Sequence, residues 1–181
     1  MKKTLLFASL LALAGASSVA AAADDSWFVR GNLGSSNLHI NSFGSTSSNT
    51  AGGVSGGYYF TPNIGIEGRY QSYGNHGDSL GNSLDVDGWG LGVVGKYDFG
   101  PDNTGFYIDG RAGWMRMHAK ATLAGVGSAS INKSKGYAGV GAGYDFNRNF
   151  GVGLNYEYAG AGDKGNSAHT NTWSVSAEAR F

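Results

Sequence analysis

The chain has 181 residues with 13 basic and 13 acidic side chains, 32 glycines, 2 prolines and no cysteine. Without cysteine it has neither a disulfide framework nor a metal-thiolate site, and a formal charge of zero argues against a nucleic-acid surface. No charge block or proline-rich linker divides it, so one domain is expected.

Met1-Lys2-Lys3, an apolar stretch from Leu5 to Ala14 and the small-residue run ending Ala21-Ala22-Ala23 form the pattern of a secretory signal peptide. The stretch is too short for a spanning helix, so residues 1–23 are set apart as a leader and residues 24–181 as the folded domain. Removing Lys2 and Lys3 leaves 11 basic against 13 acidic residues.

From there the chain alternates with period two, the signature of strands with two unlike faces. Strands are expected at 26–38, 52–61, 64–73, 84–99, 105–119, 135–146, 149–160 and 170–181. In the fourth, Trp89, Leu91, Val93, Tyr97 and Phe99 oppose Gly90, Gly92, Lys96 and Asp98. The fifth sets Phe106, Ile108, Ala112 and Trp114 against Tyr107, Asp109 and Arg111. The sixth sets Ala138, Val140, Ala142, Tyr144 and Phe146 against Gly139, Gly141, Gly143 and Asp145. In the seventh, Phe150, Val152, Leu154, Tyr156 and Tyr158 oppose Gly151, Gly153, Asn155 and Glu157. The last places Trp173, Val175, Ala177, Ala179 and Phe181 on one face, and Thr172, Ser174, Ser176, Glu178 and Arg180 on the other.

Short connections at Thr61-Pro62-Asn63, 100–104 and Asn147-Arg148 alternate with long polar ones near 39–51, 74–83, 120–134 and 161–169. An even number of strands with alternately short and long connections is the pattern of an antiparallel, up-and-down transmembrane β-barrel. Its short turns then face the periplasm. Trp27, Phe60, Tyr97, Phe99, Phe106, Phe146, Phe150 and Phe181 would form the inner aromatic girdle, and Tyr70, Trp89, Trp114, Tyr156, Tyr158 and Trp173 the outer one. A soluble β-sandwich also alternates, but it keeps a denser charge on its outer faces than the 14% of this chain.

The segment Trp173-Ser-Val175-Ser-Ala177-Glu-Ala179-Arg-Phe181 resembles the C-terminal strand of small OmpA/OmpX-type outer-membrane barrels. The resemblance implies an all-β, eight-stranded barrel in the outer membrane, with Trp173, Val175 and Phe181 as the signal read by the barrel assembly machinery. It also implies periplasmic chaperones during folding, a monomer, and lipopolysaccharide as outer-leaflet neighbour. No peptidoglycan-binding extension is expected after Phe181.

With the apolar face toward lipid, the barrel interior would hold Arg30, Glu67, Arg69, Lys96, Asp98, Asp109, Arg111, Asp145, Glu157, Glu178 and Arg180. An eight-stranded lumen is just wide enough for side chains, so paired charges would plug it, with inward glycines making room for them. The functional alternative is a narrow conduit in which a central base, Lys96, changes acid partner; Lys96 and Glu67 are the charges whose removal would test it. Gly139-x-Gly141-x-Gly143 lies inside a strand with no following helix and is not a phosphate loop.

His39, His76, His118 and His169 map to the outer side without ligand spacing, so no metal site is expected. Catalysis on outer-leaflet lipid would need a serine–histidine constellation, and no His-x-Ser pair occurs. No cofactor is expected. The Ser/Gly/Asn/Thr-rich loops, such as Ser42 to Asn49 and Leu123 to Ser128, suit display and adhesion on a rigid barrel, or a purely structural part in envelope integrity. Arg116, Lys120, Lys133 and Lys135 near the outer rim are candidates to pair with lipopolysaccharide phosphates.

Overall fold

The computed structural model describes residues 26–40, 45–77, 83–123, 127–161 and 168–181, with side chains over 26–37, 50–73, 86–118, 132–160 and 170–181. The expected leader lies outside the described residues. Eight strands follow in chain order: β1 Ser26–Ile40, β2 Ser45–Thr61, β3 Ile64–Gly77, β4 Ser83–Asp98, β5 Gly105–Leu123, β6 Gly127–Asn147, β7 Phe150–Ala161 and β8 Ala168–Arg180. Each pairs antiparallel with its sequence neighbours, and β8 pairs with β1, closing the barrel.

The pairing fixes the barrel's shape. Tracing partners from Phe28 through Gly57, Glu67, Gly92, Gly113, Tyr137, Ala159 and Thr170 returns to β1 at Leu38, a stagger of ten residues around eight strands. Such a shear tilts the strands by roughly 35–45°. It also means that residues at one height in the lumen come from strands that are not neighbours in the sheet.

Period-two alternation has the expected inside-out consequence. Trp114 is 76% exposed on the outer wall, whereas Arg30 and Glu67 are 2% exposed inside. Bulky apolar groups face lipid and charge fills the interior, the reverse of a soluble sandwich. On the periplasmic side the rings of Trp27 and Tyr58, Tyr58 and Phe60, Tyr97 and Phe99, and Phe106 and Tyr144 pack at centroid distances of 5.1 to 5.5 Å. Tyr58 and Tyr144 thus join the inner girdle. Tyr156 and Trp173 pack at 4.9 Å near the outer rim.

The periplasmic end is stapled by its turns. Thr61 Oγ1 accepts from the amides of Asn63 and Ile64, and Asn147 Oδ1 does the same for Asn149 and Phe150. These side-chain bonds substitute for backbone partners in tight turns. Asn63 and Asn149 then each reach one strand further: Asn63 Nδ2 donates to Lys96 O at 2.8 Å and Asn149 Nδ2 to Arg180 O at 2.9 Å. The last residue is held too, since Trp27 and Phe181 exchange two backbone hydrogen bonds of 2.9 and 3.0 Å.

At the outer end the strands run further than the alternation predicts. Residues 45–51 and 127–134, expected in loops, are strand, and β5 and β6 stay paired to Leu123 and Gly127. Above the bilayer a strand needs hydrogen-bond partners but no apolar face, so the hydropathy signal stops before the pairing does.

Candidate functional site: the charged lumen and the outer rim

Two networks occupy the lumen. In the lower one Arg30, on β1, stands directly opposite Glu178 on β8 and donates to Glu178 Oε2 from Nε at 2.8 Å and from Nη2 at 2.5 Å. Its Nη1 crosses the lumen to Asp109 Oδ2 on β5 at 2.9 Å. Lys96 Nζ lies between Asp145 Oδ2 at 2.7 Å and Glu178 Oε1 at 3.3 Å, with the Tyr107 ring 3.9 Å away. Arg180 pairs with Asp145, and Arg111 Nη2 bridges Asp109 Oδ2 at 2.7 Å and Asn155 Oδ1 at 2.9 Å.

The upper network is smaller. Arg69 pairs with Glu157 and lies over the Tyr137 ring at 4.6 Å, while Tyr137 donates to Glu67 Oε1 at 3.0 Å. Gln71 Oε1 accepts from Asn32 Nδ2 at 3.0 Å and from Arg69 Nη2 at 3.3 Å. Above it sits an apolar layer of Tyr73, Met115, Met117, Tyr137 and Ala159. A second, Phe28 with Tyr59 and Val94, lies near the periplasmic end.

Of the eleven interior charges expected from the sequence, ten are buried in the lumen and Asp98 is partly buried at the periplasmic end of β4. Lys96 and Glu67 do not meet. Lys96 is engaged by Asp145 and Glu178, and Glu67 by Tyr137. The stagger of the barrel puts β4, β6 and β8 side chains at one height and carries Glu67 into the upper network. Uncharged polar groups complete the site: the alternation put Tyr107, Asn155 and Ser176 on the charged face without singling them out as site residues, and Tyr137 and Gln71 join them there, their only sequence signal being that face.

Inward glycines make room for these groups. A Cβ at Gly92 would stand 2.2 Å from the Tyr137 hydroxyl, one at Gly153 2.4 Å from the Tyr107 hydroxyl, and one at Gly141 2.1 Å from Asp109 Oδ1. Large polar side chains thus lie across neighbouring glycine backbones, which is how a narrow barrel accommodates them. Glu67 Oε2, Gln71 Nε2, Asp109 Oδ1 and Asp145 Oδ1 are buried without a protein hydrogen-bond partner. Such atoms are where ordered water belongs.

Of the four basic residues expected near the outer rim, the three whose side chains are described divide between two faces of the barrel wall. Arg116 shares the outer face of β5 with Trp114 and is exposed. Lys133 and Lys135 lie on the lumen-facing register of β6, opposite Met117 and Met115, with Lys133 exposed and Lys135 half-buried at the mouth. The parity of the alternation separates them. The side chain of Lys120 lies outside the described residues, as do those of His39, His76 and His169. His118 Nδ1 is 2.7 Å from Asn132 Oδ1. Among the described residues no group of three or more His, Cys, Asp or Glu side chains is arranged to hold a metal ion. Trp173, Val175 and Phe181 are exposed on the outer face at the C-terminal end.

A family model described as outer membrane protein beta-barrel domain matches residues 8–181. An uncharacterized protein of Haemophilus influenzae is 35% identical over 104 residues, covering 55% of this chain and 54% of that protein, so the chain matches about half the length of this relative. The crystal structure of Ail, the attachment invasion locus protein of Yersinia pestis, in complex with the heparin analogue sucrose octasulfate is similar with a TM-score of 0.65 at 16% identity. That match covers 88% of this chain and all of the other. Neisserial surface protein A is similar with a TM-score of 0.64 at 17% identity, over 86% of this chain and 97% of the other. At these identities the structural matches speak to the fold.

Proposed function

This chain belongs to the outer membrane protein β-barrel family and resides in the outer membrane, and from that premise we propose that it is a non-enzymatic surface-interaction protein whose plugged barrel displays its outer hairpins to polyanionic ligands. The observation that carries this reading is the β5–β6 hairpin. It rises nine residues beyond Trp114 of the outer girdle, to Leu123, and among the described residues β6 pairs with β7 only from Gly136 downward. Among the described residues, the segment 127–135 therefore has an edge on its β7 side with no strand beside it.

Lys133 and Lys135 stand on that edge, and among the described residues neither has an acidic partner within 4.0 Å. Burial and the like charge of Lys133 lower the pKa of Lys135, so this pair gains from an anion between its members. The sulfated sugar bound by the similar attachment protein supports the choice of ligand class. The leader 1–23, the monomeric state and delivery by chaperones and the assembly machinery through Trp173, Val175 and Phe181 belong to the same reading.

The test is binding of sucrose octasulfate to the refolded protein. Replacing both Lys133 and Lys135 by glutamine should weaken binding by roughly fivefold per lysine while leaving the heat-resistant folded band on a gel unchanged. Equal binding by the variant would remove the hairpin from the function.

A second reading, a minor conduit for ions or small solutes, draws on Lys96 lying within reach of two acids and on the partnerless lumen oxygens. Planar-bilayer recording separates the two. The plugged scaffold is silent, whereas discrete openings that change in Lys96→Ala would make the lumen the working part.

A further inference from the structure

Glycine weakens a strand unless its missing side chain makes room for something. Inside the barrel that something is visible at each glycine described above. On the lipid-facing wall of β4–β6 it is not. A Cβ at Gly110 would have Gly139 O at 3.9 Å as its nearest neighbour, one at Gly136 would have Gly113 O at 3.9 Å, and one at Gly95 would meet Asn63 O at 3.8 Å. These are ordinary contacts, so the barrel's own packing does not call for glycine at these positions. Elsewhere on the wall the gap is filled: Leu33 lies over Gly52 at 3.1 Å and Leu91 over Gly68 at 3.7 Å.

The register joins these glycines into one feature. Gly95 stands opposite Gly110, Val93 opposite Ala112 and Ala112 opposite Ala138, and Leu91, Trp114 and Gly136 form the row above. The result is two adjoining apolar hollows of about 620 and 560 Å³, open to the bilayer. Volumes of roughly 300–1,000 Å³ are those of small-molecule sites. The next row outward is Trp89, Arg116 and Ser134, with Arg116 exposed and without an ion pair among the described residues.

We propose that this trough seats one acyl chain of a phosphate-bearing lipid of the outer leaflet, with Arg116 binding the phosphate above it. A glycine floor lets a ligand approach the backbone closely, as small residues do wherever surfaces pack within a membrane. The floor is narrow and bordered by Val93, Leu91 and Val140, so it fits a single flexible chain and not the convex wall of a second barrel. Arginine supplies a planar fork suited to phosphate, placed at headgroup height beside the Trp114 ring.

Native mass spectrometry of the refolded protein, titrated with a hexa-acylated, doubly phosphorylated glucosamine disaccharide lipid, tests this. Gly110→Leu fills the trough and should weaken retention of that lipid about tenfold. Arg116→Gln, at an exposed position that leaves folding untouched, should weaken it by a similar factor but leave retention of the same lipid without phosphates unchanged. Equal retention by the wild type and both variants would overturn the proposal. So would a wild-type dimer that Gly110→Leu abolishes, which would assign the hollow to a second copy of the chain.

Discussion

Replacing Glu178 by alanine is expected to cost the barrel about 3–5 kcal/mol, the range for breaking a buried pair by removing one partner. Glu178 is 1% exposed and neutralises three cations at once, accepting from Arg30 and lying 3.3 Å from both Lys96 Nζ and Arg180 Nε. Without it Arg30 keeps Asp109 and Lys96 keeps Asp145, but four lower-lumen bases, Arg30, Lys96, Arg111 and Arg180, would share two fully buried acids. Urea unfolding in lipid vesicles reads the loss, and Glu178→Gln, which retains an acceptor, should fall between alanine and wild type. The control is the periplasmic pair of Arg148 and Asp102, at 2.7 Å but with side chains 49% and 71% exposed. Solvent screens that pair, so Arg148→Ala should change stability by less than about 1 kcal/mol. Equal effects at the two sites would mean that the lumen is wet enough to solvate its charges, and the conduit reading would gain.

The contrast between these two ion pairs also shows what the sequence makes legible. That Arg30, Glu178 and Lys96 share the inner face follows from alternation, because lipid on one side and a packed polar lumen on the other leave each residue only two places to go. The eight strands are legible for the same reason. Which charges meet is not, because it depends on the ten-residue stagger, a sum over eight registers that no single strand records. Hence Lys96 joins Asp145 and Glu178 while Glu67 bonds Tyr137. The outer reach of β2 and β6 is illegible on another ground, since Ser45 to Thr50 and Gly127 to Ser130 have no lipid to face and so no apolar period. The separation of Arg116 from Lys133 and Lys135 is different again. Parity with Trp114 on β5 and with Tyr137 on β6 carries it, and only grouping by height along the barrel obscures it.

Gly143→Ala is expected to be damaging, although it adds a single methyl group. Its Cβ would stand 2.1 Å from the backbone oxygen of Val152 and 2.6 Å from Tyr107, whose ring lies across Gly143 and Gly153. Backbone cannot yield as a flexible side chain does, so β6 and β7 must separate or Tyr107 must leave its place beside Lys96. Overpacking of this kind typically costs about 1–3 kcal/mol, and here it also disturbs the ion network. Gly110→Ala, one strand away but on the lipid face, adds the same methyl into open space and should be neutral or slightly stabilising. A double variant isolates the cause. Gly153→Ala conflicts first with the Tyr107 hydroxyl at 2.4 Å, and the next atom, Ala142 O, is 3.2 Å away. Tyr107→Phe should therefore restore much of what Gly153→Ala loses, while it cannot restore Gly143→Ala, where the obstacle is Val152 O. Folded yield in vesicles and the urea midpoint are the measurements. If Gly143→Ala and Gly110→Ala behaved alike, the inner and outer glycines would not differ in purpose, and both the packed lumen and the lipid-facing trough would lose their footing.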